Sequence, residues 1–268
     1  MTSLAKLPSE AWCKRFVYKQ ITGSNACQHC NGGLVFKRSC DYGWCSQCRV
    51  KVRPKATTWF RSSNLSYQQI FLLIWCWQQR QSPGTACLVA GVSYTTARRW
   101  YWRMRALLPR SSSKEQLSGI VEIDESFFGK QKYSNQKMVV GAIERDSRRL
   151  QLRIIEDREQ DTLELFITDY VDRTSLICTD YHLGYNDLGF YGYTHERYNH
   201  SRGHFSQTNQ IENMWGVMKR YLRKMYGCVP TNRLQLILNE WMARQNSKQL
   251  FVSPQNYLSF TLCSGLVD

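Results

Sequence analysis

The sequence is short of long apolar runs. Its longest uninterrupted one, Ile70 to Trp77, has eight residues, far fewer than the roughly 20 that a membrane-spanning helix needs. The first 20 residues carry five charged side chains and no apolar stretch, which is unlike a secretory signal. We therefore expect neither a membrane protein nor a secreted one.

Acidic residues are scarce in the first two-fifths of the chain. Residues 1–110 hold 17 Lys and Arg but only two acids, Glu10 and Asp41, whereas residues 111–268 hold 19 of each sign. The whole net charge of +15 thus lies in the first part. Because neutralising phosphates releases counterions, this charge favours a DNA or RNA partner. The alternative is a basic surface that serves solubility.

Four of the eleven cysteines form a paired pattern. Two Cys-x-x-Cys pairs are separated by fourteen residues, and two such knuckles supply four thiolates to a tetrahedral zinc ion. The pattern predicts a zinc ribbon that holds one structural Zn²⁺, against the alternative of unconnected buried thiols. His29 and Cys40 could compete as ligands, although their spacing fits less well. The predicted ligands are Cys27, Cys30, Cys45 and Cys48.

Three helices follow the ribbon. Ser66 and Ser93 can cap the first and the third of them, and Ser82-Pro83-Gly84 ends the first. A glycine-containing turn before a basic last helix, Tyr94 to Leu108, indicates a helix-turn-helix that offers this helix to the major groove. The alternative is a small helical bundle whose arginines face water. The predicted base contacts are Arg98, Arg99, Arg103 and Arg105, and the predicted phosphate or minor-groove contacts are Lys51, Arg53 and Lys55.

Beyond a serine-rich linker, the elements are predicted in the order three strands, helix, strand, then a further strand and a long helix from about Thr208 to Tyr226. The first strand carries Asp124, the fourth ends in Asp180, and the long helix begins near Glu212. This order indicates an α/β fold of the ribonuclease-H-like plan, a mixed sheet with helices, in which the first and fourth strands are neighbours. Three converging carboxylates suit two Mg²⁺ or Mn²⁺ ions, which prefer oxygen ligands.

Several stretches resemble the Merlin transposases and their bacterial insertion-sequence relatives. The abundance of Cys and Trp fits the animal Merlin group better. The stretches are Val121–Gly129, Val140–Arg145, Cys178–Asp180 with Gly184-Tyr185, Asn199–Ser201, and Thr208–Trp215 with Lys219-Arg220. The similarity covers nearly the whole chain, since those proteins also carry an amino-terminal zinc ribbon and helix-turn-helix. The resemblance implies a DDE transposase with Asp124, Asp180 and Glu212 as its catalytic triad.

Other polar residues near these motifs have two interpretations. His200 could orient a scissile phosphate or complete a metal shell, or it could bond a backbone carbonyl. Lys219 and Arg220 could hold DNA phosphates or form a solvated helix face. Glu122 and Glu125 could support the site or be ordinary strand charges.

The sequence thus predicts a cut-and-paste DNA transposase. Residues 1–110 would bind terminal inverted repeats in double-stranded DNA, and the carboxylate domain would hydrolyse the element ends and join their 3′-hydroxyls to target DNA. Joining two ends requires at least a homodimer. The alternatives are a domesticated, non-catalytic DNA-binding regulator and a structure-selective nuclease. We expect it in the nucleus of a eukaryote, or otherwise in the cytoplasm with the chromosome.

Four segments are expected along the chain. They are a zinc ribbon with basic flanks (1–62), a helix-turn-helix with a linker (63–112), a ribonuclease-H-like catalytic domain (113–250) and a C-terminal tail (251–268).

Overall fold

The computed structural model describes residues 8–109, 116–130, 135–198, 208–227 and 231–263. The predicted His200 and the stretch Asn199–Ser201 lie outside these residues. The chain divides into two compact units, one of Met1–Leu107 with Gln249–Asp268 and one of Leu108–Lys248. Among the described helices, none combines the length and apolar character needed to cross a membrane.

The elements of the described chain up to residue 109 alternate between helix and short strands. They are α1 (Glu10–Thr22), β1 (Leu34–Phe36), β2 (Gly43–Cys45), β3 (Lys51–Val52), α2 (Tyr67–Gln78), α3 (Pro83–Ala90) and α4 (Tyr94–Ala106). The three strands form an antiparallel sheet in the order β1-β2-β3.

The rest of the described chain supplies a larger sheet and its helices. These elements are β4 (Ile120–Phe128), β5 (Lys137–Glu144), β6 (Leu150–Ile155), α5 (Gln160–Tyr170), β7 (Leu176–Thr179), β8 (Thr194–Arg197), α6 (Asn209–Tyr226), α7 (Leu234–Asn246) and α8 (Pro254–Cys263).

The helix α1 begins the first unit, and the sequence analysis did not predict it. Ser9 caps α1 by accepting from the Trp12 amide at 3.2 Å. The buried carboxylate of Glu10 accepts from the amides of Tyr67 and Gln68, at 3.1 and 2.7 Å, and so caps α2 as well. One acid therefore fixes the start of α2 against α1, as expected for a carboxylate at a positive helix N-terminus.

The three helices expected after the ribbon are present. Ser66, Ser82 and Ser93 each cap one of them by accepting a backbone amide three residues on. Gly91 ends α3 in a left-handed conformation (φ +61°), which glycine adopts without steric cost. The turn from Gly91 to Ser93 then leads directly into α4.

The helix α8 lies in the segment expected as a tail, and it packs into the first unit. The Tyr257 hydroxyl donates to the Met104 carbonyl at 2.9 Å, and the Trp59 indole donates to Thr261 at 3.2 Å. Gln78 donates to the Leu250 carbonyl at 2.8 Å. The first unit is thus completed by residues from the far end of the chain.

The second unit contains a mixed five-stranded sheet in the order β6-β5-β4-β7-β8. The strands β4, β5 and β6 are antiparallel neighbours, while β7 pairs parallel to both β4 and β8. This confirms the ribonuclease-H-like plan and the prediction that the first and fourth strands are adjacent. The helix α5 follows β6 and begins at Gln160, with Glu159 at the cap position.

The two faces of β4 have different environments. Val121 and Ile123 face a buried apolar cluster that includes Leu163, Phe166 and Ile167 of α5. Alternation along the strand turns Glu122 and Asp124 to the other face, where α6 packs against β4 and β5. The sheet therefore presents its acids toward α6.

Candidate active site and metal centre

Strand pairing brings Asp124 and Asp180 to neighbouring positions. The last paired residues of β4 and β7 are Glu122 and Cys178, so two residues further along the parallel strands come Asp124 and Asp180. Both aspartates are half-buried. Asp180 accepts from the His182 amide through Oδ1 at 3.0 Å, which directs its carboxylate at the end of β7.

Glu212 enters the same region from the first turn of α6. It is exposed, and its Oε1 accepts from the Thr208 hydroxyl at 2.9 Å. Burial, together with the negative charges of Asp180 and Glu212, raises the pKa of Asp124 to about 6. The three predicted acids therefore lie close enough for their charges to interact.

These three carboxylates spread more widely than the ligands of a single ion. Among the described residues, the only group of three or more His, Cys, Asp or Glu side chains with ligand atoms all within 4.8 Å of one another is a cysteine cluster. Two catalytic ions stand about 4 Å apart and so need ligands that span both. The negative charge gathered around a half-buried Asp124, with oxygen donors only, fits hard divalent cations.

Trp215 positions Asp124 from α6. Its indole Nε1 donates to Asp124 Oδ2 at 3.1 Å, and this hydrogen bond lowers the pKa of Asp124 against the effect of burial. The ring fits because Gly141, which pairs with Asp124 across β4 and β5, has no side chain. A Cβ at Gly141 would come within 2.7 Å of the Trp215 ring. The glycine thus makes room for the donor.

Glu122 anchors the N-terminus of α6. Its Oε2 accepts from the amides of Gln210 and Ile211 at 2.9 and 3.2 Å, while Oε1 accepts from Arg145 Nε at 3.0 Å. Thr208, at the cap position, makes no side-chain cap bond. Glu122 is 1% exposed, so its charge is compensated by the arginine and by the helix N-terminus. The acid two residues before Asp124 therefore holds the helix that carries Glu212.

Glu125 lies on the opposite face of β4 and accepts a hydrogen bond from the Tyr185 hydroxyl. Burial raises the pKa of Glu125 to about 7; the Tyr185 bond opposes the rise, and the charges of Asp124 and Asp180 add to it. The sequence marked Glu122 and Glu125 as possible supporting acids. The hydrogen bonds from two α6 amides to Glu122 could not be predicted from the sequence, because no nearby residue pattern indicates them.

Lys219 of α6 lies near the acids, whereas Arg220 is exposed to solvent. The Lys219 ammonium stands 5.6 Å from the centroid of the Phe128 ring. Burial lowers the pKa of Lys219, and the Asp124 charge opposes this shift. One of the two predicted phosphate contacts thus stands beside the acidic site.

The four predicted zinc ligands come together in the first unit. The Sγ atoms of Cys27 and Cys48 are 3.5 Å apart, and those of Cys30 and Cys45 are 3.4 Å apart. All four Sγ atoms lie within 4.8 Å of one another. A tetrahedron with Zn–S bonds of about 2.3 Å has edges of about 3.8 Å, so this set of thiols fits a zinc ion. The alternative ligands, His29 and Cys40, are outside the cluster.

The two Cys-x-x-Cys knuckles have the same backbone conformation. Asn31 and Arg49, each directly after the second cysteine of its pair, adopt left-handed conformations with φ of +58° and +61°. Their amides donate to the carbonyls of the first cysteines, at 2.8 Å for Asn31 and 3.0 Å for Arg49. Each turn therefore brings its two thiols to the same side.

The predicted DNA contacts of the first unit differ in accessibility. Arg98, Arg99, Lys51 and Arg53 are exposed. Arg105, in contrast, is fully buried against the rings of Tyr101 and Trp102, which corrects its assignment to base contacts. Helical spacing places Arg105 away from Ala97, Trp100 and Met104, but α4 buries Trp102 and Arg105 as well.

Two further basic side chains point inward. Lys55 donates to the carbonyls of Ser63 and Leu65, at 3.0 and 2.5 Å. Arg103 donates to the Trp59 carbonyl and lies over the ring of Trp59. Both cations thus bind the protein's own backbone in this fold, and their contacts with DNA stay a prediction.

The strand order, with Asp124 on β4 and Asp180 directly after β7, defines a ribonuclease-H-like α/β protein. Residues 116–246 match the family described as ISXO2-like transposase domain. An uncharacterized transposase-like protein of Haemophilus influenzae is 31% identical over 101 residues, which cover 36% of this chain and 80% of that protein. The chain belongs to this insertion-sequence transposase family, which confirms the predicted resemblance to insertion-sequence transposases. The preference for the animal Merlin group stays a prediction.

Retroviral integrase cores are among the solved structures that this chain matches. The catalytic core of HTLV-2 integrase, in complex with magnesium, has 16% identity and a TM-score of 0.33, over 50% of this chain and 88% of that one. The catalytic core of BIV integrase has 16% identity and a TM-score of 0.33, over 49% of this chain and 85% of that one.

Proposed function

We propose that this chain is a metal-dependent cut-and-paste DNA transposase. The observation that carries the proposal is the placement of Asp124 and Asp180 at matching positions on adjacent parallel strands, with Glu212 on a helix anchored to the same strand. Membership of the ISXO2-like family supports a transposase. In the proposed reaction, water attacks the phosphodiester at each element end and frees a 3′-hydroxyl, which then attacks a phosphodiester of the target DNA.

Asp124, Asp180 and Glu212 would hold two Mg²⁺ or Mn²⁺ ions. Bound ions of this kind activate the attacking oxygen and stabilise the leaving one. Trp215 directs the Oδ2 atom of Asp124. Glu122 fixes the start of α6, and Lys219 supplies a positive charge for a phosphate beside the acids. Arg220 would hold a phosphate further along the same helix.

Terminal-repeat DNA would bind to the first unit. The exposed Arg98 and Arg99 of α4 support base contacts in the major groove, and Lys51 and Arg53 support contacts with phosphates. The cysteine cluster would hold one structural Zn²⁺. Two element ends must be joined in one reaction, so we propose that the protein acts as a homodimer or a larger assembly.

The test is an end-cleavage and strand-transfer assay with the purified full chain, repeat DNA taken from the flanks of its own coding sequence, and Mg²⁺ or Mn²⁺. We expect Asp124→Asn, Asp180→Asn and Glu212→Gln each to abolish both products, while repeat binding stays within about twofold of wild type. The matched control is Glu156→Gln, at an exposed acid outside the site.

Other outcomes would identify the alternatives. Repeat binding with no cleavage under any divalent ion would indicate a domesticated regulator. Cleavage of branched DNA without joined products would indicate a nuclease. Equal activity of Asp124→Asn and wild type would overturn the proposed site.

A further inference from the structure

The outward face of the ribbon sheet carries a regular grid of aromatic and basic side chains. Strand pairing places Val35, Trp44 and Lys51 in one row across β1, β2 and β3. The same register, continued past Phe36, Gly43 and Val52, places a second row on that face, two residues along each strand. The second row is Lys37, Tyr42 and Arg53.

The inward face of this sheet is already used by the fold. Leu34, Phe36 and Cys45 are buried against Tyr18 of α1. Gly43 lies opposite Phe36 there, and a Cβ at Gly43 would come within 2.5 Å of the Phe36 ring. Alternation along the strands therefore leaves the grid on the other side of the sheet.

The grid remains open to solvent. Trp44 is 36% exposed and Val35 is 50% exposed, and the lysines and Arg53 are exposed as well. A shallow concavity of about 540 Å³ lies over it, lined by Val35, Lys37, Cys40, Tyr42, Trp44 and Lys51. An exposed tryptophan beside such a concavity is a surface suited to a planar ligand.

The positive charge of the grid indicates which kind of planar ligand it would bind. The Lys51 ammonium stands 4.9 Å from the centroid of the Tyr42 ring. An acid beside the grid, Asp41, is 3.4 Å from Arg53 in a pair whose side chains are 72% and 65% exposed. A surface pair of this kind contributes little energy, so a phosphate can replace it. Aromatic faces flanked by three cations suit a nucleic-acid strand.

We propose that the grid binds single-stranded DNA, with unpaired bases stacked on Trp44 and Tyr42 and phosphates held by Lys37, Lys51 and Arg53. Trp44 lies on β2 and Tyr42 directly before that strand, two residues or about 7 Å apart along an extended chain, so the two rings can receive two bases of one strand. Paired bases of a duplex already stack on each other and offer no free face. The choice of DNA, and not another nucleic acid, rests on the proposed function. The stacking of unpaired bases is inferred from the aromatic and basic side chains of the grid alone.

The test uses the full-length, zinc-loaded protein and a labelled 15-nucleotide single strand, compared with a duplex of the same sequence by fluorescence anisotropy. We expect Trp44→Ala to weaken single-strand binding by roughly 5- to 100-fold, the effect of losing one stacked base. Trp44→Phe should keep most of the affinity for the single strand. In both variants the affinity for the duplex should change less than twofold. The matched control is Trp12→Ala, a tryptophan of α1 that is 41% exposed and outside the grid.

A charge series tests the second half of the proposal and does not depend on Trp44. Lys37→Gln and Lys51→Gln should each lower the salt dependence of single-strand binding by about 0.7 in log–log slope, while Trp44→Ala leaves the slope unchanged. Zinc content of one ion per chain shows that each variant is folded. If Trp44→Ala loses zinc, Trp44→Phe and the two lysine variants decide the outcome.

Two results with Trp44→Ala would overturn the inference. One is an unchanged affinity for the single strand, and the other is an equal loss of affinity for the single strand and for the duplex. Single-strand binding is measured without cleavage or joining. A protein that fails the strand-transfer assay but loses single-strand binding in Trp44→Ala would therefore contradict the proposed function and leave this inference standing.

Discussion

Asp124 and Asp180 are two residues beyond the paired Glu122 and Cys178 on adjacent parallel strands. Their separation is thus set by the spacing of neighbouring strands, about 4.8 Å, and by the side-chain directions there. Because successive residues point to opposite faces, a one-residue slip of β7 against β4 would send one acid to the other side of the sheet. Strand register therefore determines whether these two acids meet.

The first prediction concerns the anchor of α6. Glu122→Gln removes a buried charge that pairs with Arg145 and caps α6, so we expect a loss of about 2–4 kcal/mol in the free energy of unfolding. Urea denaturation measures it. The control is Glu144→Gln, which breaks a more accessible pair with Arg149 and should cost about 1 kcal/mol or less. Equal losses in the two variants would contradict the anchoring role.

The second prediction separates the Trp215 ring from its N–H group. Trp215→Phe keeps a ring over Gly141 but removes the donor to Asp124, so the pKa of Asp124 should rise further. We expect Mn²⁺ affinity, measured by titration calorimetry, to fall about 10-fold, with an unfolding free energy within about 1 kcal/mol of wild type.

The contrasting variant is Gly141→Ala, whose Cβ would displace the ring itself. It should lower both stability and Mn²⁺ affinity. Unchanged Mn²⁺ affinity in Trp215→Phe would show that the indole bond does not position Asp124.

The third prediction concerns pH. The folded pKa of Glu125, about 7, lies above its ordinary value of 4.5 because the side chain is buried. The protonated form is thus favoured in the fold, and the associated stability, about 3 kcal/mol at most, is present below pH 4.5 and is lost as pH rises through 7. Glu125→Gln should remove this part of the decline between pH 4.5 and pH 8.

The measurement is urea denaturation at several pH values without added Mg²⁺ or Mn²⁺. Glu156→Gln changes the same side chain at an exposed position and serves as the control. A decline in Glu125→Gln as steep as that of wild type would show that another group causes the pH dependence.

The fourth prediction concerns the cysteine cluster. Cys45→Ser should remove bound zinc and unfold the ribbon, because so small a sheet depends on the metal for stability. Cys40→Ser, outside the cluster, should retain one zinc ion per chain. Atomic absorption measures the zinc, and amide hydrogen exchange over residues 26–52 measures the folding. Full zinc retention in Cys45→Ser would exclude it as a ligand.

Features with short, regular spacing could be predicted from the sequence. The paired cysteines, the serine-capped helices and the alternation in β4 each depend on residues a few positions apart, where local geometry determines the outcome. The order of strands and helices then indicated the sheet, and with it the neighbouring positions of Asp124 and Asp180.

Features that depend on distant contacts could not be predicted. Arg105 lies off the apolar stripe of its helix by spacing, yet aromatic neighbours enclose it. Glu122 looked like a strand charge, because its partners on α6 are 88 and 89 residues away. The role of α8 was equally hidden, since nothing in residues 254–263 indicates that they pack against α1 and α2.

The packing of α8 has a practical consequence for dissecting this protein. A fragment that ends at residue 107 lacks the partners of Trp59, Gln78 and Met104. Such a truncation would expose apolar surface and aggregate. Expression of the amino-terminal half alone would therefore require residues 249–263 to be fused back through a designed linker, as in a circular permutant.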